Sequence, residues 1–318
     1  MPKPRVKGIQ SIPLLSGAAK LIKAAQNHTF EATSGQDDTQ IKRVVRVTPD
    51  PQGKHLARIT NEVAFVDYIT KSGELSHICG PLRSIDGALL VQEKGLILVV
   101  SEYAIGAPLD FLTYRWMTDE SVVVAWGRWL AQFHILSRKF SAEHPTIARN
   151  IQRWDEMHHG ILKGSAIHPD DEAVVGDIQH YGVLHGDLNV SNFFFAEATE
   201  TSPPTLSVFD WDQTQQGWYL WDVAQTLLTV HMLAGAGSVV DGTPVPLTNP
   251  AQFTAWMVQG YESITGANTV DLARLQRMLE LRKHFYKTFC RKAQEQGEIP
   301  KDMEHFIHYI NAWFDKEK

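Results

Sequence analysis

Apolar residues occur in short runs over roughly the first third of the chain. These runs are rich in β-branched residues and are separated by turn-forming residues, a pattern that is typical of β-strands. The predicted strands are Leu21–Ala24, Thr29–Thr33, Gln40–Val47, Ala88–Gln92 and Leu96–Tyr103. Between the third and the fourth strand, Ile59–Thr70 carries apolar residues at helical spacing. Several strands with one helix predict a small α+β unit.

In the remainder of the chain the pattern is mainly helical. The clearest helix, Ser121–Arg138, has its apolar residues on one face. Further helices are predicted at Asp171–Gln179, Val223–Leu233, Phe253–Ile264, Val270–Gln294 and Met303–Asp315. Strand-like stretches lie around Val183–Phe195 and at Leu206–Phe209. We therefore predict an α+β fold with a sheet-rich lobe of residues 1–105 and a helix-rich lobe of residues 106–318.

Composition and charge narrow the classes of partner. The 318 residues are 43% apolar and 21% charged, which is ordinary for a soluble chain with a sizeable core. The net charge is −6 without a basic run, so nucleic acid is not expected as a partner. No apolar run is long enough to span a membrane. Cys79 and Cys290 cannot build a disulfide framework, so we expect a reducing, cytoplasmic setting. The sequence does not indicate the oligomeric state.

The strongest chemical signal lies in the segment from Val183 to Asn192. An apolar strand ends there in His185-Gly186-Asp187, and Asn192 follows Asp187 by five residues. Phosphoryl transfer needs a carboxylate beside the attacking hydroxyl and a neutral oxygen ligand for Mg²⁺. The Asp-x-x-x-x-Asn spacing of a kinase catalytic loop supplies this pair on one rigid loop.

Two further carboxylates follow at fitting intervals. The apolar stretch Leu206–Phe209 leads directly into Asp210, eighteen residues after Asn192. A carboxylate at a strand end suits Mg²⁺, which prefers one or two carboxylates together with phosphate oxygens and water. Asp222 opens a helix twelve residues later, where it either caps that helix or braces the catalytic loop.

These motifs resemble the aminoglycoside phosphotransferase/choline kinase family, which has the protein-kinase-like fold. HGDLNVSN, VFDWD and WDVA are similar to the family's HGDLHxxN, its apolar strand ending in Asp and its D-L-A helix start. Gly127–His134 resembles the family's G-x-x-L-A-x-L-H helix, and Ser101–Gly106 resembles the hinge whose backbone holds adenine.

The resemblance assigns a role to each matching residue. It implies that Asp187 orients or deprotonates the substrate hydroxyl and that Asn192 and Asp210 hold Mg²⁺. His185 is expected to brace the loop through hydrogen bonds rather than to transfer a proton. The hinge residues expected to contact ATP are Glu102, Tyr103 and Ala104.

The residues that hold the phosphates are predicted from the first lobe. Kinases place a cation from a central strand on the phosphates, and a carboxylate from the next helix holds that cation. Arg46 and Glu62 are the candidates for this ion pair, although Lys42 and Arg43 are competing cations. The phosphate loop is expected at residues 24–28 and includes Asn27. It contains no glycine, so its backbone approaches phosphate less freely.

The sequence thus predicts a kinase that uses ATP and Mg²⁺ to phosphorylate a hydroxyl group of a small molecule. A protein kinase, or an enzyme that transfers a different part of the nucleotide, is the alternative on the same fold. A catalytically silent nucleotide-binding regulator is a third reading: the glycine-free loop favours it, and the complete Asp187, Asn192 and Asp210 set argues against it.

The acceptor is not identified by the sequence. Trp211, Trp218, Tyr219 and Trp221 lie within eleven residues of one another. Their rings either border an acceptor pocket, where they would hold an amine by cation–π attraction, or pack beneath the catalytic loop. We interpret the stripe of Phe285, Tyr286 and Phe289 as core.

Overall fold

A computed structural model describes residues 19–24, 27–34, 41–75, 77–236, 239–240, 243–244 and 249–296. The predicted helix Met303–Asp315 lies outside the described residues, as do residues 25 and 26 of the predicted phosphate loop.

The N-terminal part is a five-stranded antiparallel sheet with one helix. Its strands are β1 (Ala19–Ala24), β2 (His28–Ser34), β3 (Ile41–Pro49), β4 (Val91–Glu93) and β5 (Leu96–Glu102), in the order β1-β2-β3-β5-β4. Helix α1 (Leu56–Ser72) lies between β3 and β4 in the chain. All five predicted strands and the helix are present, with ends that differ by a few residues.

Alternation along β3 decides which side chains face α1. Val45 and Val47 pack with Leu98 in a small cluster on one face of the sheet. Successive side chains of a strand point to opposite faces, so Arg46 lies on the other face. Arg46 is opposite Val99 of β5, which packs with residues of α1. The strand period therefore brings the Arg46 side chain toward α1.

The helical part is built around two long helices that cross closely. They are α3 (Glu120–Glu143) and α8 (Pro250–Thr265). A Cβ atom on Gly127 of α3 would collide with the carbonyl oxygen of Met257, and one on Gly260 of α8 would collide with that of Val124. The two glycines thus allow the backbones to approach. The remaining helices are α2 (Arg115–Thr118), α4 (Pro145–Asn150), α5 (Met157–Gly160), α6 (Pro169–Glu172), α7 (Tyr219–Ala236) and α9 (Leu272–Gln296).

The predicted helix Asp171–Gln179 is wrong in length. Only α6 is helical in this region, and turns follow it. Gly176 has φ 85°, a left-handed conformation that does not continue a right-handed helix. The buried Asp171 carboxylate is instead bound by Arg274 and Arg277 of α9, which fixes this segment by long-range contacts.

Short strands place the candidate catalytic residues. These strands are β6 (Ala107–Pro108), β7 (Tyr181–Leu184), β8 (Phe193–Ala196), β9 (Thr205–Val208), β10 (Gln215–Trp218), β11 (Val239–Val240) and β12 (Thr243–Pro244). β7 pairs with β10, and β8 pairs with β9. The predicted stretch Val183–Phe195 is thus two strands joined by a loop. That loop, the segment after β9 and the start of α7 meet at one place.

One apolar core extends through the helical part and continues into α1, where Phe65, Val66 and Ile69 belong to it. The Phe65 ring lies 4.9 Å from the ring of Phe140 in α3, measured between centroids. Among the described residues, no helix is long and apolar enough to cross a membrane. Cys79 and Cys290 are both buried free thiols.

Candidate active site

The loop between β7 and β8 holds Asp187 through side-chain amides. Oδ1 of Asp187 accepts hydrogen bonds from Nδ2 of Asn189 at 3.2 Å and from Nε2 of Gln225 at 3.0 Å. Oδ2 accepts one from Nδ2 of Asn192 at 3.3 Å, and the same nitrogen donates to the Asp187 carbonyl oxygen at 2.8 Å. Because the nitrogen of Asn192 faces Asp187, its Oδ1 is the atom left for a cation.

The surroundings of Asp187 favour its carboxylate as a proton acceptor. Burial raises the pKa of this carboxyl, while the charges of Arg282 and His185 oppose the rise. A raised pKa makes a carboxylate a better base than an ordinary aspartate. The side chain remains partly accessible, so a substrate hydroxyl can reach it.

His185 and Asp222 fix the backbone around Asp187. The Asp222 carboxylate accepts hydrogen bonds from the N–H groups of His185 and Gly186, both at 2.9 Å. Nε2 of His185 lies 3.1 Å from the Phe209 carbonyl oxygen, so it carries the proton and donates it there. The His185 ring is fully buried, which keeps it away from any substrate.

Asp222 remains ionised inside the core. Burial would raise the pKa of this carboxyl, but the hydrogen bond from His134 and the neighbouring positive charges outweigh burial and lower it. Nε2 of His134 lies 3.5 Å from Asp222, and Nδ1 of His134 lies 2.9 Å from the Tyr261 hydroxyl. A charged acceptor makes stronger hydrogen bonds to backbone N–H groups than a neutral one does.

Asp210 follows β9 in a backbone conformation that is rare for a non-glycine residue. Its φ is 64° and its ψ is 61°, in the left-handed region. Such strain persists at functional sites where the surroundings hold it in place. Here the hydrogen bond from His185 to Phe209 holds the residue immediately before it.

A lysine of β1 contacts Asp210. Nζ of Lys23 lies 3.3 Å from Oδ2 of Asp210, although 60% of the Lys23 side chain is exposed. The charge of Asp210 raises the pKa of Lys23, and burial opposes this effect. The contact connects the edge of the sheet to the metal-binding end of the predicted site.

The predicted ion pair between Arg46 and Glu62 is present. Nη2 of Arg46 lies 2.6 Å from Oε1 of Glu62, and the side chains are only 13% and 5% exposed. Arg58, one turn earlier on α1, has Nη1 at 3.8 Å from the other Glu62 oxygen. The competing cation Lys42 pairs instead with Glu31 at 3.3 Å.

One cleft of about 540 Å³ brings most of the predicted residues together. Its lining includes the ion pair, the hinge residues and both predicted metal ligands: Arg46, Glu62, Glu102, Tyr103, Ala104, Asn192 and Asp210. Its walls are otherwise largely apolar, with Ile22, Val44 and Phe209 among them. Such a cleft suits a flat heterocycle with a charged tail, because apolar walls can cover the ring.

Asn27 lies beside this cleft without lining it. Its Nδ2 donates to Oδ2 of Asp212 at 3.2 Å, and its Oδ1 accepts from the Thr48 hydroxyl at 2.7 Å. Asn27 thus connects the start of β2 to the segment after Asp210. Burial, and then the nearby charge of Asp210, raises the pKa of Asp212 to about 7.

Of the two interpretations of the four aromatic rings, the border of an acceptor pocket is wrong for three of them. Trp218, Tyr219 and Trp221 are at most 3% exposed. Nε1 of Trp218 donates to the Asp171 carbonyl oxygen at 2.8 Å, and the Trp221 ring covers the Arg282 guanidinium. Trp211 does line the cleft, but it is 6% exposed and packs against His185 at 4.6 Å. The rings pack beneath the catalytic loop, the second of the two interpretations.

Comparison with known proteins agrees with this geometry. A sequence model of the phosphotransferase enzyme family matches residues 19–242, which is more than half of the chain. The chain belongs to the phosphotransferase enzyme family. The resemblance of its motifs to aminoglycoside phosphotransferases and choline kinases is thereby confirmed. A search of curated protein sequences found no match.

Solved structures of phosphotransferases share the fold. A microcompartment-associated aminopropanol kinase is 17% identical with a TM-score of 0.58, over 94% of this chain and 89% of that one. A spectinomycin phosphotransferase with ADP and spectinomycin is 14% identical with a TM-score of 0.56, over 94% and 88%. The Plasmodium vivax ethanolamine kinase is 12% identical with a TM-score of 0.53, over 95% and 82%. The two-lobed, protein-kinase-like α+β fold is confirmed.

The donor set of this phosphotransferase fits Mg²⁺. Asn192 and Asp210 offer an amide and a carboxylate oxygen, the hard ligands that Mg²⁺ prefers. Among the described residues no group of three His, Cys, Asp or Glu side chains could hold a metal by itself. Mg²⁺ commonly binds through one or two carboxylates together with substrate phosphates, so a partial set is what such a site requires.

Sequence reasoning gave no role in the site to Gln225, Arg282, Tyr286 and Lys23. Each of them contacts the catalytic loop, Asp210 or one of the residues that hold them. The sequence could have indicated Gln225 as a site residue, because it follows Asp222 by three residues and therefore shares a helix face with it. The others come from distant parts of the chain, where spacing carries no information.

Proposed function

We propose that this protein transfers the γ-phosphoryl group of ATP to a hydroxyl group of a small molecule, with Mg²⁺ bound to Asn192 and Asp210. The observation that carries the proposal is that the candidate base, the candidate metal ligands and the buried ion pair lie close together. Asp187 is joined by hydrogen bonds to Asn192, and Asn192 borders the same cleft as Asp210 and the Arg46–Glu62 pair. This set provides a base, oxygen ligands and a phosphate cation, which are the parts that phosphoryl transfer uses.

Each residue has one task in the proposed reaction. Glu102, Tyr103 and Ala104 contact the adenine through their backbone, and Arg46 contacts the phosphates while Glu62 holds it. Asp187 orients the acceptor hydroxyl and takes its proton. Bound Mg²⁺ supplies charge neutralisation for the phosphates. In this assignment residues 1–105 bind the nucleotide, and residues 106–318 carry the catalytic loop and the acceptor site.

The substrates named for the similar proteins suggest which class of acceptor to test. Two of them are kinases of amino alcohols, aminopropanol and ethanolamine, and one is a spectinomycin phosphotransferase. Other similar structures contain AMP or GDP, so both ATP and GTP should be tested as the phosphoryl donor. We propose a small hydroxylated acceptor and test amino alcohols first.

The experiment is a screen of nucleoside diphosphate release, ADP from ATP or GDP from GTP, with the purified protein. Amino alcohols, sugars, hydroxy amino acids and aminoglycosides are offered with ATP or GTP and Mg²⁺, and phosphorylated product is identified by mass spectrometry. We expect product with at least one acceptor, loss of product with EDTA, and loss of product in Asp187→Asn. Nucleotide binding without turnover of any acceptor would contradict the proposal and would support the silent regulator. Transfer to added protein substrates alone would support the protein kinase.

A further inference from the structure

Two helices present paired side chains to the catalytic loop. On α7, Asp222 and Gln225 are three residues apart and therefore share a face. On α9, Arg282 and Tyr286 are four residues apart and also share a face. Nη2 of Arg282 donates to the Gly186 carbonyl oxygen at 2.8 Å, while Asp222 accepts from the Gly186 N–H at 2.9 Å. The first member of each pair thus holds the loop backbone at Gly186.

The second members meet at the Asp187 side chain. Nε2 of Gln225 donates to Oδ1 of Asp187 at 3.0 Å and to the Tyr286 hydroxyl at 2.9 Å. A primary amide has two N–H donors, so both are used in these contacts. Gln225 is 3% exposed and the Tyr286 hydroxyl is its neighbour on α9, so the contact lies inside the protein.

The orientation of the Gln225 amide is fixed by the carboxylate. A flipped amide would direct its Oε1 at Asp187, and two acceptors would then face each other. In the observed orientation Oε1 is buried and has no hydrogen-bond partner among the described residues. A buried acceptor without a partner is unfavourable for stability, so packing alone gives no reason for a glutamine at this position.

The amides also distinguish the two oxygens of Asp187. A carboxylate oxygen has about two acceptor positions. Oδ1 uses both, for Asn189 and Gln225, whereas Oδ2 has one contact, from Asn192 at 3.3 Å. Oδ2 is therefore the oxygen with capacity left for the acceptor hydroxyl.

We infer that Gln225 and Tyr286 are positioning residues, which hold Oδ1 of Asp187 so that Oδ2 faces the acceptor hydroxyl. The inference rests on the proposed function. In the transfer step the acceptor oxygen forms a bond to the γ-phosphorus, the bond from that phosphorus to the bridging oxygen breaks, and ADP leaves. The acceptor proton passes to Oδ2 of Asp187. Gln225 and Tyr286 exchange no proton and touch no substrate.

The test compares Gln225→Met with Tyr286→Phe and with their combination in the full-length protein. Gln225→Met keeps the length of the side chain and removes both N–H donors. We expect kcat to fall by about tenfold to a hundredfold, because small misplacements of a reacting group have effects of this size. KM for Mg·ATP and for the acceptor should change by less than about twofold, since ground-state binding does not use this contact.

Tyr286→Phe removes the hydroxyl that steadies Gln225 and should lower kcat by about threefold to tenfold, a smaller effect because it acts through Gln225. The double variant should resemble Gln225→Met alone, since both changes act on one contact. Gln276→Met, on the exposed face of α9, is the matched control and should behave as wild type. An unchanged kcat in Gln225→Met, or equal changes in kcat and both KM values, would overturn the inference.

A second measurement does not depend on activity. Thermal unfolding of Gln225→Met, Asp187→Asn and the double variant forms a cycle, and contacting residues give non-additive effects. We expect the midpoints to depart from additivity by about 2 °C or more. Additive midpoints would overturn the inference even if the enzyme is active. If the wild-type protein phosphorylates no acceptor, the proposed function fails, and this cycle still tests the contact between Gln225 and Asp187.

Discussion

The Nε2 atom of His185 lies 3.1 Å from the carbonyl oxygen of Phe209, and this hydrogen bond joins two loops that are distant in sequence. His185 begins the loop that carries Asp187, and Phe209 immediately precedes Asp210. The proposed base and the proposed metal-binding carboxylate therefore share one buried connection.

This connection predicts a structural role for His185 in catalysis. His185→Phe removes the donor to Phe209, and we expect kcat to fall by about a hundredfold because Asp210 shifts relative to Asp187. His185→Gln retains an N–H donor and should lose less. Steady-state kinetics measures both variants, and the exposed His168→Gln serves as control. Equal losses in the Phe and Gln variants would contradict this role.

The two carboxylates of the site should respond differently to substitution. Asp187→Asn should reduce phosphoryl transfer by about a thousandfold or more and leave Mg·ATP affinity within a few-fold, because the role proposed for Asp187 is toward the acceptor hydroxyl. Asp210→Ala should also weaken Mg·ATP binding, since it removes a proposed ligand of the metal. Calorimetric titration and product assays separate the two effects, with the exposed Asp86→Asn as control. Near-normal turnover in Asp187→Asn would refute the catalytic assignment.

Arg46 should not be replaceable by lysine. Its planar guanidinium can contact phosphate while it pairs with Glu62 at 2.6 Å, and an ammonium lacks this forked geometry. In Arg46→Lys we expect KM for Mg·ATP to rise by about tenfold, with a smaller change in kcat. Arg43→Lys, on the same strand but the opposite face, is the matched control. An unchanged KM in Arg46→Lys would exclude contact with the phosphates.

A variant of Lys23 can show whether the cation beside Asp210 contacts phosphate or competes with the metal for that carboxylate. The predicted phosphate loop lacks glycine, so a side-chain cation on β1 is a suitable substitute for backbone contacts with phosphate. We therefore expect Lys23→Met to raise KM for Mg·ATP by about threefold to tenfold with little change in kcat. Thermal stability should not change, because the side chain is 60% exposed. A lower KM would instead show that Lys23 competes with the metal for Asp210.

Asp171 provides a pH-dependent test of the structural core. Burial raises the pKa of this carboxyl, but hydrogen bonds from Arg277 and Arg274 outweigh burial and lower it. A lowered pKa in the folded state contributes stability above the unfolded pKa of about 3.9, and this contribution is lost as the pH falls through the folded pKa. Asp171→Asn should therefore lower the free energy of unfolding by about 3 kcal/mol near neutral pH.

The destabilisation in Asp171→Asn should shrink as the pH falls below about 4, since protonation then removes the same charge from the wild-type protein. Urea unfolding at several pH values measures this difference. Asp170→Asn is the matched control on the same helix, because its side chain is 70% exposed. A difference that does not vary with pH would show that the charge of Asp171 is not what stabilises the protein.

Local patterns sufficed to predict the strands and the helix of the N-terminal sheet and the spacing of the candidate catalytic loop. Strand alternation around Arg46, the helical period of α1 and the spacing of Asp187 and Asn192 all involve residues that are close together in the sequence. The same holds for Asp210, which directly follows an apolar strand. These signals depend on backbone geometry over a few residues, and sequence reports that geometry directly.

Long-range contacts account for what was missed. Burial of Trp218 depends on the Asp171 segment, and that segment is fixed by α9, far along the chain. Tyr286 was interpreted as core because its stripe is apolar, and only the fold shows that its hydroxyl meets Gln225. Sequence spacing cannot report a contact between residues 61 positions apart.

The core that continues into α1 has a consequence for how the molecule melts and moves. Phe65, Val66 and Ile69 pack in the same apolar cluster as α3, so the helix of the N-terminal sheet is bound to the C-terminal helices. Heat or denaturant should unfold the N-terminal sheet and the C-terminal helices in one cooperative transition, and a protease should not release the sheet as a folded fragment. We expect any opening of the cleft to bend the strands relative to α1, because α1 is packed on the C-terminal helices, rather than to separate two independent bodies.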